Sequence, residues 1–470
     1  MLVFISDLHF KDGTSGPNLS PDAFRIFNQR LREQAYRASW RGSNSNYRPI
    51  ERLDLVLLGD IFDLIRSAKW VSDEGQPAAR PWGDPNSPAF IHKVDEIVTG
   101  ILDRNQETFD ILRSLSQGNT ITLPPAKRDG TPDWQAAEQQ PIQVGVHYMV
   151  GNHDWILYLP GEPYQEIRQK VVQTLGLSNS AGPFPYIPSE SPSLAAILEY
   201  HHVFARHGDF YDPLNYDPER GRAASALGDL LSVELLDRFP FDVQEQLGDE
   251  VPLQFSEGLK EMANVRPALV TPLWVGHLID THTTSTAQAD KIKSIWNDLA
   301  KRFLESDHLR PYDRRFKFDT VNALEAALIL AKELPIDAIN RVLGWMGERL
   351  WGNKTSFAKH ALSEAAFLNK TAKHIVFGHT HHHEVIPLDS NLVDRQVYDQ
   401  IYMNTGTWHA YHDLTLSTSS RYKFMSLNVM SYLTFYQGDE RNRHAFETWS
   451  GSLAMPPIPT RMDRTLAKEA

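Results

Sequence analysis

The sequence predicts an α/β domain interrupted by a large, mainly helical insertion, and three observations predict it. Five short apolar runs, rich in β-branched and aromatic residues, are each followed at once by a polar cluster. Segments with helical spacing lie between them. From about residue 223 to 370 strand-like runs almost vanish and amphipathic helical patterns take over. In open sheets covered by helices, functional groups gather where strands end and loops begin, so chemistry is expected at the five run ends.

In chain order the runs are Leu2–Ser6, Leu53–Leu58, Gln143–Val150, His202–Arg206 and His374–Phe377. They are followed by Asp7-Leu8-His9, Gly59-Asp60, Gly151-Asn152-His153-Asp154, His207-Gly208-Asp209 and Gly378-His379-Thr380-His381. Ala23–Tyr36 and Asp95–Leu115 have helical spacing, while the Pro-, Gly- and charge-rich stretch Gln117–Gln140 reads as an exposed loop. Within the insertion, Val321–Leu334 carries apolar residues at helical spacing, a start cap at Asp319 or Thr320, and a stop at Pro335. Lys291–Leu304 and Ser356–Leu368 are similar. Strand character returns at Ile401–Met403, Phe424–Val429 and Tyr432–Tyr436.

Composition narrows the function classes. Lys and Arg number 47 against 59 Asp and Glu, a net charge of 47 − 59 = −12, which argues against bulk electrostatic binding of nucleic acid. With no cysteine among 470 residues, thiolate metal sites, disulfides and a cysteine nucleophile are excluded. Any metal must be held by His, Asp, Glu, Asn or water. No secretory signal and no membrane-length apolar run is read, so a cytoplasmic protein is expected.

Together the run ends offer seven ligand groups, Asp7, His9, Asp60, Asn152, His207, His379 and His381. Hard oxygen with borderline nitrogen suits Mn²⁺ first, with Fe, Zn²⁺, Co²⁺ or Ni²⁺ as alternatives. These groups exceed what one ion takes, whereas two divalent ions about 3.5–4 Å apart and sharing a carboxylate use them all. Asp60 is the candidate bridge, together with a hydroxide, since a water shared by two cations is a nucleophile near neutral pH.

The five clusters resemble, in order, the signature of the calcineurin-like metallophosphoesterases: D-x-H, G-D-x-x-D, G-N-H-D/E, a later His and G-H-x-H. Here these are Asp7-Leu8-His9, Gly59-Asp60-Ile61-Phe62-Asp63, Gly151-Asn152-His153-Asp154, His207 in "RHGD", and Gly378-His379-Thr380-His381. The resemblance covers about residues 1–222 and 371–440. It implies a two-sheet αββα sandwich of the metallophosphoesterase type, a discontinuous domain of residues 1–222 and 371–455. Residues 223–370 then form a helical insertion or cap, and 456–470 a mobile tail.

The implied activity is metal-dependent hydrolysis of a small phosphorylated substrate (a phosphodiester, phosphomonoester or pyrophosphate) by attack of a metal-bridging hydroxide. The resemblance assigns Asp7, His9, Asp60 and His381 to one ion, and Asp60, Asn152, His207 and His379 to the other. His153 would face the leaving group as general acid, oriented by Asp63. More narrowly, "FISDLHF", "RHGDFYD" and "MNTGTWH" are similar to the branch containing UDP-2,3-diacylglucosamine pyrophosphatases. That enzyme has Arg where this chain has His153 and lacks so long an insertion, so its substrate is not carried over.

Other residues have a plain reading beside a functional one. Arg206 is a phosphate partner by chemistry, or a surface residue. His383 could reach a substrate phosphate, and His409 could line the pocket, or each could pack. Asp209 and Asp212 hold loops or support a ligand. Trp70, Trp82 and Trp155 pack or form a stacking wall, and the insertion is a lid or a satellite core. Two other functions fit the pattern less well. A DNA nuclease of the same superfamily would need a basic path, some of which "RPYDRRFKF" at 310–318 could supply, but the net charge is against it. A non-catalytic scaffold would be expected to have lost ligands that this chain keeps.

Overall fold

The computed structural model describes residues 1–42, 46–72, 79–118, 120–266, 271–283, 285–306, 357–393, 396–414 and 424–453. Its strands are β1 (Leu2–Ile5), β2 (Arg52–Leu58), β3 (Thr122–Leu123), β4 (Gln140–Pro141), β5 (Gln143–Met149), β6 (Val203–Ala205) and β7 (Val265–Arg266). The remainder are β8 (His374–Phe377), β9 (His383–Val393), β10 (Gln396–Thr405), β11 (Ala410–Leu414), β12 (Phe424–Phe435) and β13 (Phe446–Leu453). The helices are α1 (Pro21–Ala38), α2 (Pro88–Arg104), α3 (Gln106–Ser116), α4 (Glu162–Leu175), α5 (Pro192–Tyr200) and α6 (Leu227–Leu231). Then come α7 (Arg238–Leu247), α8 (Leu253–Lys260), α9 (Thr271–His282), α10 (Thr286–Leu304), α11 (Ala358–Ala361) and α12 (Ala365–Leu368).

The chain is mixed α/β. One sheet has the order β5-β2-β1-β12-β11-β7, with β13 also on β12; a second has the order β6-β8-β10-β9. Within the first, β1, β2 and β5 are parallel; within the second, β6 and β8 are parallel. Alternate residues of each strand face opposite ways. Leu2, Phe4, Val56, Leu58 and Met149 of the first sheet therefore meet Val203, Ala205, Val376 and Met403 of the second in one apolar layer. The other face of the first sheet packs on α1–α4 through residues such as Ile5, Leu57 and Val146. The outer face of the second packs Ile375, Phe377 and Tyr402 against Ala358 and Ala361 of α11. Strands covered on both faces need continuous apolar sequence, which is why Leu55–Leu58 is an unbroken apolar run, while Asp54 before it is paired with Arg52 and His147.

Helix α1 shows the local logic. Ser20 caps it by accepting from the Asp22 amide, Pro21 opens it, and Phe24, Phe27, Leu31, Ala35 and Ala38 bury one face. The insertion helices α6–α10 have an apolar cluster of their own, including Phe239, Phe255, Ile292 and Trp296. The expected helix Lys291–Leu304 lies inside α10. The expected helix Val321–Leu334, the basic 310–318 stretch and the 456–470 tail lie outside the described residues.

Several expectations need correction. Asp95–Leu115 is two helices, because Asn105 leaves helical geometry and its side-chain amide donates to the carbonyls of Lys11 (3.1 Å) and Ile101 (2.8 Å). From Phe357 onward the expected helix Ser356–Leu368 is two single turns. Glu364 between them is extended and sends its carboxylate to Arg206 at 3.3 Å. The 117–140 loop contains β3, which pairs with β4. Phe424–Val429 and Tyr432–Tyr436 are one strand through Phe435, β12, paired with β11 over Phe424–Asn428 and with β13 over Asn428–Phe435.

Candidate metal centre

Parallel strands end at the same rim of their sheet, so β1, β2 and β5 deliver Asp7, Asp60 and Asn152 side by side. Strands β6 and β8 deliver His207 and His379 from the facing sheet. The loops are stitched together by the ligand residues themselves. The amide of Asp7 donates to the carbonyl of Gly59 (3.1 Å), that of His9 to the carbonyl of Asp60 (2.9 Å), and that of His379 to Oδ2 of Asp7 (3.1 Å). Asp7, His9, Asp60, His379 and His381 all have positive φ, between 46° and 69°, and make up half of the ten non-glycine residues so placed among the described residues. Left-handed backbone costs such residues about 1–2 kcal/mol each, and strain of this kind collects at functional sites. Gly59 and Gly151 admit the His207 ring; a Cβ on either would lie 2.6 Å from it.

The seven predicted ligands are brought together. Asp7, His9 and His381 form one group and Asp60, His207 and His379 a second, with the ligand atoms of each group within 4.8 Å of one another. Asn152 joins the second group, its Oδ1 3.0 Å from Nδ1 of His379. His9, Asp63 and His153 form a third group whose ligand atoms lie within the same 4.8 Å.

The donor set fits cations. Nε2 of His379 faces Oδ2 of Asp212 at 3.0 Å, and the amide nitrogen of Asn152 donates to Oδ1 of Asn215 at 3.2 Å. Both ring nitrogens of His379 thus meet oxygens, Nε2 that of Asp212 and Nδ1 that of Asn152, and the Nδ1 and Oδ1 pair is one that a cation can join in place of a proton. Nδ1 of His207 is fixed by the carbonyl of Leu58 at 2.9 Å, which leaves Nε2 for a ligand 3.0 Å from Oδ2 of Asp60. Nε2 of His9 and Nε2 of His381 lie 3.1 Å apart, and the latter is 3.2 Å from Oδ1 of Asp7. Oδ1 of Asp7 and Nε2 of His207 are buried and make no well-aligned hydrogen bond.

Electrostatics point the same way. Burial opposes charge on Asp60 and Asp7, yet the surrounding imidazoles hold Asp60 well below the usual carboxylate range and lower Asp7 as well. Burial likewise opposes charge on His207, but Asp60 and Asp7 raise its pKa to about 9. Such a cluster gathers positive charge, as protons or as metal ions that displace them.

His153 stands at the edge of the cluster. Its Nδ1 lies 2.7 Å from Oδ1 of Asp63, and its backbone amide donates to Oδ1 of Asp60 at 2.8 Å. Its side chain is 22% exposed, whereas those of Asp7 and His207 are fully buried. Burial disfavours the imidazolium, but Asp63 and then Asp60 raise its pKa to about 9.

The expected substrate contacts behave differently. Arg206 has its guanidinium beside Glu364 and 4.7 Å from the ring of Phe210, with Tyr186, Phe204 and Tyr211 around it. It is a packed ion pair and not a surface residue. His409 is buried with its ring 5.6 Å from that of His9, and burial pushes its pKa well below the usual value. It backs a predicted ligand. His383 is half-buried at the start of β9, beside Gly406. Trp70 and Trp155 are buried, donating to the carbonyl of Leu64 (2.8 Å) and to Asp229 (3.1 Å) respectively, and Trp82 packs against both the main and the insertion cores.

Two supporting roles escaped the sequence reading. Asp154 accepts from the amides of Gly151 (2.6 Å) and Ile61 (2.9 Å) and from the Tyr148 hydroxyl (2.7 Å), bolting the Gly151 loop to the Gly59 loop. Asn215 joins Asn152 to Asp212, to which its amide donates at 2.9 Å. Only the position of Asp154 inside a motif hinted at the first, and nothing in the sequence marked Asn215. No family model and no curated protein matches the chain. Among the described residues no helix is long and apolar enough to cross a membrane.

Proposed function

We propose that the chain is a dinuclear metal-dependent hydrolase of phosphate esters, built on the αββα sandwich of the calcineurin-like metallophosphoesterases and acting on a small phosphodiester, phosphomonoester or pyrophosphate. The observation that carries the reading is the convergence of Asp7, His9 and His381, and of Asp60, His207 and His379, on one rim with the ligand atoms of each group within 4.8 Å of one another. Asp7, His9, His381 and Asp60 would hold one ion, and Asp60, Asn152, His207 and His379 the other, with Mn²⁺ well matched to the donors. Bound ions supply a water acidic enough to attack near neutral pH and positive charge for the phosphoryl oxygens.

The protein does the rest. Its ligand loops are held in place by their own hydrogen bonds, so little reorganisation is needed when charge develops on the substrate. Asp63 fixes His153 through Nδ1, which leaves Nε2 to face the leaving oxygen. His153 holds a proton there and gives it up as the bond to phosphorus breaks. The insertion, resting on the same loops, is proposed to act as a cap.

The test is direct. The purified chain should bind close to two Mn²⁺ ions and release nitrophenol from bis(p-nitrophenyl) phosphate, with EDTA abolishing turnover. Two bound ions with no turnover of any mono-, di- or pyrophosphate ester would overturn the proposal.

A further inference from the structure

The seam between the insertion and the main domain carries a buried ion pair that the proposed chemistry does not use. Nε of Arg66 donates to Oδ1 of Asp237 at 2.6 Å, and the two side chains are 1% and 0% exposed. Arg66 is three residues beyond Asp63, whereas Asp237 ends a π-helical segment, Ser232–Asp237, between α6 and α7. Irregular turns of this kind are common near functional sites. Both Nη atoms of Arg66 are buried without a hydrogen-bond partner, so Asp237 is the acceptor that engages the guanidinium.

Two further acids act on that guanidinium, Asp63 and Glu261, and of these Asp63 already accepts the backbone amide of Arg66. Oδ1 of Asp63 already receives Nδ1 of His153 at 2.7 Å and the backbone amide of Arg66 at 3.1 Å, and Oδ2 lies 3.5 Å from Nδ1 of His9. A buried guanidinium that loses its carboxylate is costly, at a level that drives rearrangement. Lys11, also buried nearby, repels Arg66 and offers no relief. The carboxylate that its own backbone already touches is that of Asp63.

We propose that Asp237 is a positioning residue for His153: by engaging Arg66, it keeps the guanidinium from taking the Asp63 carboxylate away from the His153 ring. The inference rests on the proposed function for its consequence, since a displaced His153 protonates the leaving oxygen poorly. It gives the insertion a task in the site besides covering it. Asp229 adds a second tie of the same kind, holding the indole of Trp155 two residues beyond His153 at 3.1 Å.

The experiment compares the Mn²⁺-loaded full chain with Asp237→Asn and with the double variant Arg66→Met/Asp237→Leu, which removes the competitor along with its restraint. A general acid matters most for poor leaving groups and is worth about 10²–10⁴ in rate. In Asp237→Asn, turnover of a phenyl phosphate ester should therefore fall about tenfold more than that of its p-nitrophenyl counterpart, with metal content unchanged. The double variant should return the ratio to within about twofold of wild type, because apolar replacements of a buried pair are tolerated. An unchanged ratio in Asp237→Asn, or a double variant as impaired as the single one, overturns the proposal.

The proton shared by His153 and Asp63, observed by NMR at low field and assigned by its loss in His153→Ala, gives a readout independent of turnover. It should shift or vanish in Asp237→Asn and return in the double variant; the same signal in all three chains overturns the positioning role. If Asp237→Asn does not fold, Asp237→Glu, which moves the charge by one methylene, is read in the same two ways. A wild-type chain that hydrolyses neither ester sinks the proposed function, and the proton then decides the positioning alone.

Discussion

Nε2 of His379 lies 3.0 Å from Oδ2 of Asp212, and the same carboxylate oxygen accepts the side-chain amide of Asn215 at 2.9 Å. Asn215 in turn orients Asn152. One acid thus sets the direction of two predicted ligands of one ion. Carboxylates behind ligating imidazoles are typically worth 10–100-fold in metal affinity. Asp212→Asn should therefore weaken one of two Mn²⁺ sites by about that factor and leave the other nearly unchanged. Calorimetric titration of metal-free protein would show this as a split between two formerly similar sites.

His153 and Asp60 should separate chemistry from metal binding. His153→Gln should lower kcat by about 10²–10⁴ with metal content intact, whereas Asp60→Asn should reduce both, since Asp60 reaches both ligand groups. The wild-type rate should also fall as pH rises and His153 loses its proton. The acids around it raise its pKa to about 9, but the two proposed cations would oppose the charged imidazole, so the alkaline limb belongs below that value. It should be absent in His153→Gln. Metal analysis with a pH–rate profile of each variant checks these expectations.

How much of this was legible in the sequence differs by residue. The ends of β1, β2, β5, β6 and β8 could be read because each strand is buried on both faces, and a wholly apolar run has a sharp boundary with the polar loop after it. Strand β9 could not, since "HEVIPLDSNLV" has a proline and alternating polar residues; it is tolerated because β9 is at the end of its sheet, pairing with β10. The tertiary ties were illegible for another reason. Asn215 and Asp237 lie 63 residues from Asn152 and 171 residues from Arg66 respectively, and no local pattern links them. Arg206 was open to two readings because composition cannot distinguish a guanidinium waiting for phosphate from one enclosed by aromatic rings.

The buried histidines at the other end of the strands predict acid sensitivity. His374 is 6% exposed, packed 4.9 Å from the ring of Phe435, and burial lowers its pKa to about 4. His201 is similarly buried, and its pKa is lowered to about 3. An unfolded histidine titrates near 6.5. Between these values the unfolded chain binds the extra proton, so stability is full above about pH 6.5 and is lost as pH falls toward 4. For His374 the shift corresponds to at most about 3 kcal/mol. His374→Phe should flatten that acid limb relative to wild type in urea unfolding with EDTA present, so that metal loss does not enter the comparison. Parallel curves from pH 7 to pH 4 would count against a neutral buried His374.

Asp154 should be a determinant of stability independent of metal. Its carboxylate gathers two backbone amides and the Tyr148 hydroxyl where water cannot replace it, at 0% exposure. Each buried donor left without an acceptor costs about 1–3 kcal/mol. Asp154→Ala should therefore lower unfolding free energy by about 3 kcal/mol or more, in urea, with EDTA present. The same bonds join the loops that carry Asp60 and Asn152, so metal affinity should fall as well, although Asp154 is not among the predicted ligands. Tyr148→Phe removes the bond to Asp154 and also the one the hydroxyl accepts from the Phe62 amide at 3.2 Å, and should cost about 2 kcal/mol with metal binding unaffected. If the two variants were equally mild, the loops would be held by their glycine-rich backbone alone and not by this carboxylate.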